Sequence, residues 1–172
     1  MLKAQDVIVL LKLIGAAPDW TFESLAADLD ISPSAVHRSL NRARDAGLYD
    51  ARRRRVDRGA LLEFLLHGAK YVFPPVMKGE ARGEATAWAA PPLADRLRSS
   101  RANVPVWPDA KGRTRGIALE PIHPMAPESA RRDPALAELL YLFDAIRIGN
   151  ARERGLAGEE LERRLIAEAA PA

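Results

Sequence analysis

The chain predicts a mainly α, α+β fold, and three features of its 172 residues predict it. Apolar residues recur at helical spacing in the first third and again after Asp133-Pro134. Thr21, Ser32 and Asp57 stand where helix N-caps belong. Between Tyr71 and Pro124, proline pairs and short β-rich pieces replace that texture. The expected organisation is a helical part over residues 1–69, a β-hairpin and proline-rich part over 70–124, and C-terminal helices over 125–172.

The first element starts near the N-terminus. Val7 to Leu11 is apolar and Gly15-Ala16-Ala17 mimics a signal cleavage site, but Asp6 and Lys12 bracket the run. Val7, Leu10, Leu11 and Ile14 instead repeat as the face of an amphipathic helix. No stretch approaches the roughly 20 apolar residues of a membrane span, so no membrane partner and a cytoplasmic location are expected. The chain has no cysteine, which excludes disulfides, thiolate chemistry and Cys-ligated zinc.

Trp20 to Gly47 reads as two short helices joined by a tight turn. Phe22, Leu25, Ala26 and Leu29 give the first an apolar face, Thr21 caps it, and Trp20 before the cap can pack on Leu25. Asp30-Ile31 makes the turn. Ser32 caps a second helix with Pro33 at its first position; Val36, Leu40 and Ala43 point inward and Gly47 stops it. This is the helix-turn-helix pattern, whose second helix enters the DNA major groove. The outward set is then Ser34, His37, Arg38, Asn41 and Arg42, with Ser32 at the helix start. Arg pairs bidentately with guanine, Asn with adenine, and Ser or His reaches a phosphate or base edge.

Leu25-Ala26, Leu29-Asp30-Ile31-Ser32, Val36-His37-Arg38-Ser39-Leu40 and Ala46-Gly47-Leu48 resemble winged helix-turn-helix regulators of the MarR and IclR types. The resemblance covers roughly the first seventy residues. It implies that the N-terminal helix packs across the back of the pair and that a β-hairpin wing follows. Asp30 departs from the glycine usual at such a turn, at a cost that Asp bears better than most residues.

Charge divides this region. Residues 1–31 carry two lysines against five acidic residues, whereas residues 37–58 carry eight arginines against three aspartates. The positive charge peaks at Arg52, Arg53, Arg54 and Arg55, where the wing belongs. The segment lacks the Gly or Asn turn of a wing, so a short, distorted or absent hairpin is expected. Adjacent arginines there suit phosphates or a narrow minor groove. Across the chain Arg outnumbers Lys by 21 to 5, while the net charge is only +3.

Asp57 caps a strongly apolar helix with Leu61, Leu62, Phe64, Leu65 and Leu66, ended by Gly68; His67 sits near that end. Beyond it, Tyr71–Phe73, Thr86–Trp88, Val104–Trp107 and Ile117–Leu119 read as short β pieces. Asp109–Gly112 signals a hairpin between the last two, and Lys78–Gly83 the turn of an earlier one. Trp88 and Trp107 read as scaffold, although an aromatic pocket for a partner stays open. Asp133-Pro134 opens a long helix with Leu136, Leu139, Leu140, Leu142, Phe143 and Ile146 on a broad face, and a last helix spans about Gly158 to Ala169. Glu159/Arg163 and Glu160/Arg164 lie four residues apart on it. These helices suit both intrachain packing and dimerisation.

No phosphate-binding loop, nucleophile elbow or zinc-protease motif occurs, and His37, His67 and His123 are scattered. An enzyme, a metal site and a cofactor are therefore not expected. The reading that follows is a homodimeric, sequence-specific regulator that binds double-stranded DNA. An operon autorepressor, or an antitoxin with a cognate toxin as protein partner, fits its size. The alternatives are a protein-interaction module on a helix-turn-helix scaffold and a non-specific nucleic-acid binder acting through the arginine run.

Overall fold

Helix starts and stops are set locally, by capping side chains and by residues that accept unusual backbone angles. The computed structural model describes residues 1–97 and 103–167. α1 (Ala4–Ile14) opens on Lys3, whose backbone N–H donates to Asp6. Its burial differs from the expected stripe: Asp6 through Leu11 are all buried. The helix is covered on several sides, by α2 (Phe22–Leu29), α3 (Pro33–Asp45) and α7 (Pro134–Ile148).

α2 begins at Thr21, which exchanges two hydrogen bonds with Ser24. It ends at Asp30 in the left-handed region (φ 55), and the Ile31 N–H returns to the Ala26 carbonyl at 3.0 Å. Ser32 caps α3 by accepting the Ala35 N–H, with Pro33 in the first turn. Val36, Leu40 and Ala43 face inward as expected, joined by Ser39. Gly47, at φ 75, turns the chain into a two-stranded antiparallel hairpin, β1 (Tyr49–Asp50) and β2 (Arg55–Val56). The hairpin is thus present and short.

Asp57 caps α4 (Arg58–Glu63), but Gly68 does not end the helix. A π turn over Phe64–Gly68 carries it into α5 (Ala69–Val72). Tyr71 and Val72 are therefore helical rather than a β piece. Their β-branched and aromatic character is overruled by the packing of this helical run on α7.

In the middle, β3 (Met77–Ala85), β4 (Pro105–Pro108) and β5 (Thr114–Leu119) close into a three-stranded barrel. β3 runs antiparallel to both partners, so β4 and β5 are parallel, with Pro105 beside Ile117. Two expectations are corrected here. Lys78–Gly83 is strand, because β5 pairs with Met77 and again with Glu80–Gly83 across an irregularity between them. The turn at Asp109–Gly112 joins parallel strands rather than a hairpin. Closure depends on close backbone approach: a Cβ on Gly83 would lie 2.0 Å from the Trp107 carbonyl, and one on Gly116 2.0 Å from that of Val104. Thr86–Trp88 is also not strand; Ala87–Ala89 forms a 3-10 turn after β3.

α6 (Ala126–Arg132) leads to α7, which Asp133 caps as the sequence suggests. The chain then breaks at Gly149-Asn150, where Asn150 and Glu153 cap α8 (Ala151–Leu165) reciprocally. α8 therefore starts well before Gly158, and the expected end at Ala169 lies outside the described residues. Glu160 is held by Arg163 and Arg164 as well as Arg96, while Glu159 reaches Arg96 at 3.6 Å.

One apolar cluster runs through all three expected parts, including Val7, Leu25, Leu61, Trp107, Phe143 and Leu161. Polar ties cross it. Lys12 bridges Asp28 and the α7 cap Asp133 at 2.9 and 2.7 Å. Buried Asp144 accepts from Thr86 (2.8 Å), Trp107 (2.7 Å) and Arg147 (2.9 Å), and Arg147 also donates to the Phe73 carbonyl. Trp88 and Trp107 are buried scaffold. Among the described residues, no helix is long and apolar enough to cross a membrane.

Candidate nucleic-acid interface

The outer face of α3 is built by its own spacing. Ser34, His37 and Arg38 are exposed and Asn41 is half-buried. They lean on one another at i, i+4: Arg38 donates to Ser34 Oγ (3.3 Å), and the Asn41 amide meets His37 Nδ1 (3.1 Å). The His37 ring also rests against Phe22 of α2, with centroids 5.5 Å apart. Ser32 is committed to its cap and lies 3.0 Å from Ser34 Oγ. The face is therefore polar, with its side chains partly ordered before any ligand arrives.

Arg42 is the exception within the expected set. Its guanidinium turns away to a buried carboxylate, with Nε donating to Asp6 at 2.8 Å and Nη2 at 2.6 Å. Hydrogen bonding to Asp6 raises the Arg42 pKa, against a smaller opposing effect of burial. Arg42 thus fastens α3 to α1 and is removed from the outer face. Sequence reasoning missed Arg44 instead: it is exposed, donates to the Asn41 side-chain Oδ1 at 3.3 Å and pairs with Asp45 at 2.7 Å. Its place three residues beyond Asn41 was the available signal.

The arginine run occupies the tip of the hairpin. Asp50 accepts the N–H groups of Arg52 (2.9 Å) and Arg53 (3.0 Å), which closes the turn without Gly or Asn. The Arg53 N–H bond is the main reason the Asp50 carboxyl is lowered below its usual range. Arg54 takes the left-handed angle (φ 52) that a glycine would ordinarily supply. Its guanidinium lies 4.4 Å over the Trp20 ring and donates to the Trp20 carbonyl, while Trp20 Nε1 donates back to the Arg54 carbonyl. Arg54 therefore pins the hairpin to the segment before α2. All four arginines are exposed, but the Arg54 guanidinium is engaged by Trp20, whereas Arg53 has only a loose 3.7 Å contact with Asp50. Among the described residues, Arg38, Arg52 and Arg55 have no ion pair.

The structure therefore places Ser34, His37, Arg38 and Asn41 together on one helix face and Arg52, Arg53 and Arg55 on the hairpin that follows it. His67 is exposed, and His123 accepts the Met125 N–H with its pKa lowered by burial. Among the described residues, no group of three or more His, Asp or Glu side chains is arranged to hold a metal ion. Comparison with known proteins finds no matching family model, no matching curated protein and no matching solved structure.

Proposed function

We propose that the chain is a sequence-specific DNA-binding regulator of winged helix-turn-helix type, with α3 as recognition helix and the β1–β2 hairpin as a short wing. The observation that carries this reading is the polar outer face of α3, joined in sequence to a hairpin that carries the exposed Arg52, Arg53 and Arg55. In it, Arg38, Asn41 and His37 meet base edges, and Ser34 with Arg52, Arg53 and Arg55 meets phosphates. Arg42 and Arg54 hold these elements in place. A homodimer would present two such helices to two half-sites, and an autorepressor or antitoxin role would add a protein partner.

The test is binding to pooled genomic duplex fragments, with sequencing of the bound fraction, for wild type and Arg38→Ala/Asn41→Ala. The expected result is an enriched motif that the double variant loses. A second reading, non-specific phosphate binding, is favoured by the exposed arginines of the hairpin alone. It predicts no enrichment, and binding that falls in Arg52→Ala/Arg53→Ala/Arg55→Ala but not in the α3 variant. Absence of binding at moderate salt would overturn both.

A further inference from the structure

We propose that the outer face of the β3–β5 barrel is a second DNA-backbone contact, distinct from α3 and the hairpin. Arg82 of β3 stands directly opposite Arg115 of β5 in the antiparallel register. Such partners have Cβ atoms about 4.5–5.5 Å apart, and like charges so placed destabilise a sheet. Both are exposed, as are Lys111 and Arg113, which precede Arg115 in the chain. Arg113 lies in the bend just before β5, two residues from Arg115, while Gly116 and Ala118 within the strand are buried.

The carboxylates that might neutralise this face are engaged elsewhere. Glu84 and Asp109 are both drawn to Arg131 of α6, and Glu120 pairs with Lys78. Among the described residues, Arg82, Lys111, Arg113 and Arg115 have no ion pair, and Glu80 is the barrel carboxylate left beside them. Four cations against one carboxylate, with two arginines forced into register, make a surface that an external polyanion would relieve. Two guanidinium groups side by side across paired strands, with further cations on the adjoining turn, fit the phosphates of a backbone, and they carry no base readout. The inference rests on the DNA-binding reading for its choice of polyanion.

The test uses the full chain and a random-sequence duplex, with binding measured from about 50 to 200 mM salt. Arg82→Gln/Arg115→Gln is expected to lower the magnitude of the salt slope by about 1.8, which is about a tenfold change in relative affinity across that range. The motif enriched from genomic fragments should stay the same. An unchanged slope and affinity, beside a loss in Arg38→Ala/Asn41→Ala, would overturn the barrel contact and leave the regulator reading standing. The converse, a loss in the barrel variant alone with no motif in wild type, would support the barrel contact and sink sequence-specific recognition. Retained DNA binding with lost binding to polyglutamate would overturn the nucleic-acid assignment in favour of an acidic protein. Arg115→Glu provides the folding control: it should raise the melting temperature by relieving the opposed charges while weakening DNA binding, and a fall in both would point to a structural role.

Discussion

Two arginine–carboxylate pairs, one fastening α3 to α1 and one within α7 where it faces the barrel, use the same chemistry in different surroundings. Asp6 is fully buried, yet its partner Arg42 keeps 22% of its side chain exposed. Asp144 is also buried, and the Arg147 side chain is only 3% exposed. Burial pushes the Asp144 carboxyl up, opposed by the charge of Arg147 and by hydrogen bonds from Thr86, Trp107 and Arg147. A pair at the solvent edge can open and let its cation find water. A pair sealed inside cannot open without stranding a charge. The first aligns a helix; the second joins α7, β4 and the segment after α5.

The largest expected effect follows from that difference. Asp144→Ala leaves the Arg147 cation and the Trp107 N–H without their acceptor, and should cost about 3–5 kcal/mol in a urea titration. Asp144→Leu/Arg147→Met should recover most of the loss, since a buried pair exchanged for apolar groups is often neutral. A loss below about 1 kcal/mol for the single variant would break the contrast. Asp6→Ala should cost less, about 1–3 kcal/mol, because Arg42 can turn to solvent. If Asp6→Ala proves the more damaging of the two, exposure of the arginine is not what separates the pairs.

Glu160 supplies a third case, a more exposed carboxylate shared by Arg163 and Arg164. Burial opposes its ionisation, but hydrogen bonds from Arg163 and Arg164 prevail and pull it down to about 2. Its folded pKa lies below the ordinary value of about 4.3, so its contribution is present above that value and is lost as pH falls toward 2. Glu160→Gln should therefore flatten the acid limb of a stability–pH profile in this window while lowering stability at neutral pH. An acid limb as steep as in wild type would assign that pH dependence to other carboxylates.

The smallest stability change belongs to Arg38, an exposed arginine of α3 without an ion pair. Arg38→Ala should move stability by no more than about 0.5 kcal/mol and abolish motif selection. Arg42→Ala should do the reverse, lowering the denaturation midpoint while keeping the selected motif. The pair of measurements separates the base-contacting role proposed for Arg38 from the helix-fastening role of Arg42.

What could be read from the chain follows the range of the interactions. Thr21 and Ser32 act on N–H groups three residues away, and Asp30 and Gly47 set their own backbone angles, so the two helices and their turns were legible. Arg42 and Arg54 looked equivalent to their neighbours, because their partners Asp6 and Trp20 lie 36 and 34 residues earlier. In the middle, Lys78–Gly83 has the composition of a turn, and pairing with β5, joined by β4 at Gly83, makes it strand. Tyr71 and Val72 have the composition of a strand, and packing beside α7 keeps them helical.

By itself, then, the sequence determined the caps, the helix–turn–helix order and the polar outer face of α3, all consequences of contacts within one helical turn. Tertiary structure decided which arginines face outward, how three short strands close around Gly83 and Gly116, and how α7 gathers one core. Those outcomes depend on partners distant in the chain, whose approach costs conformational entropy that only the assembled core can offset.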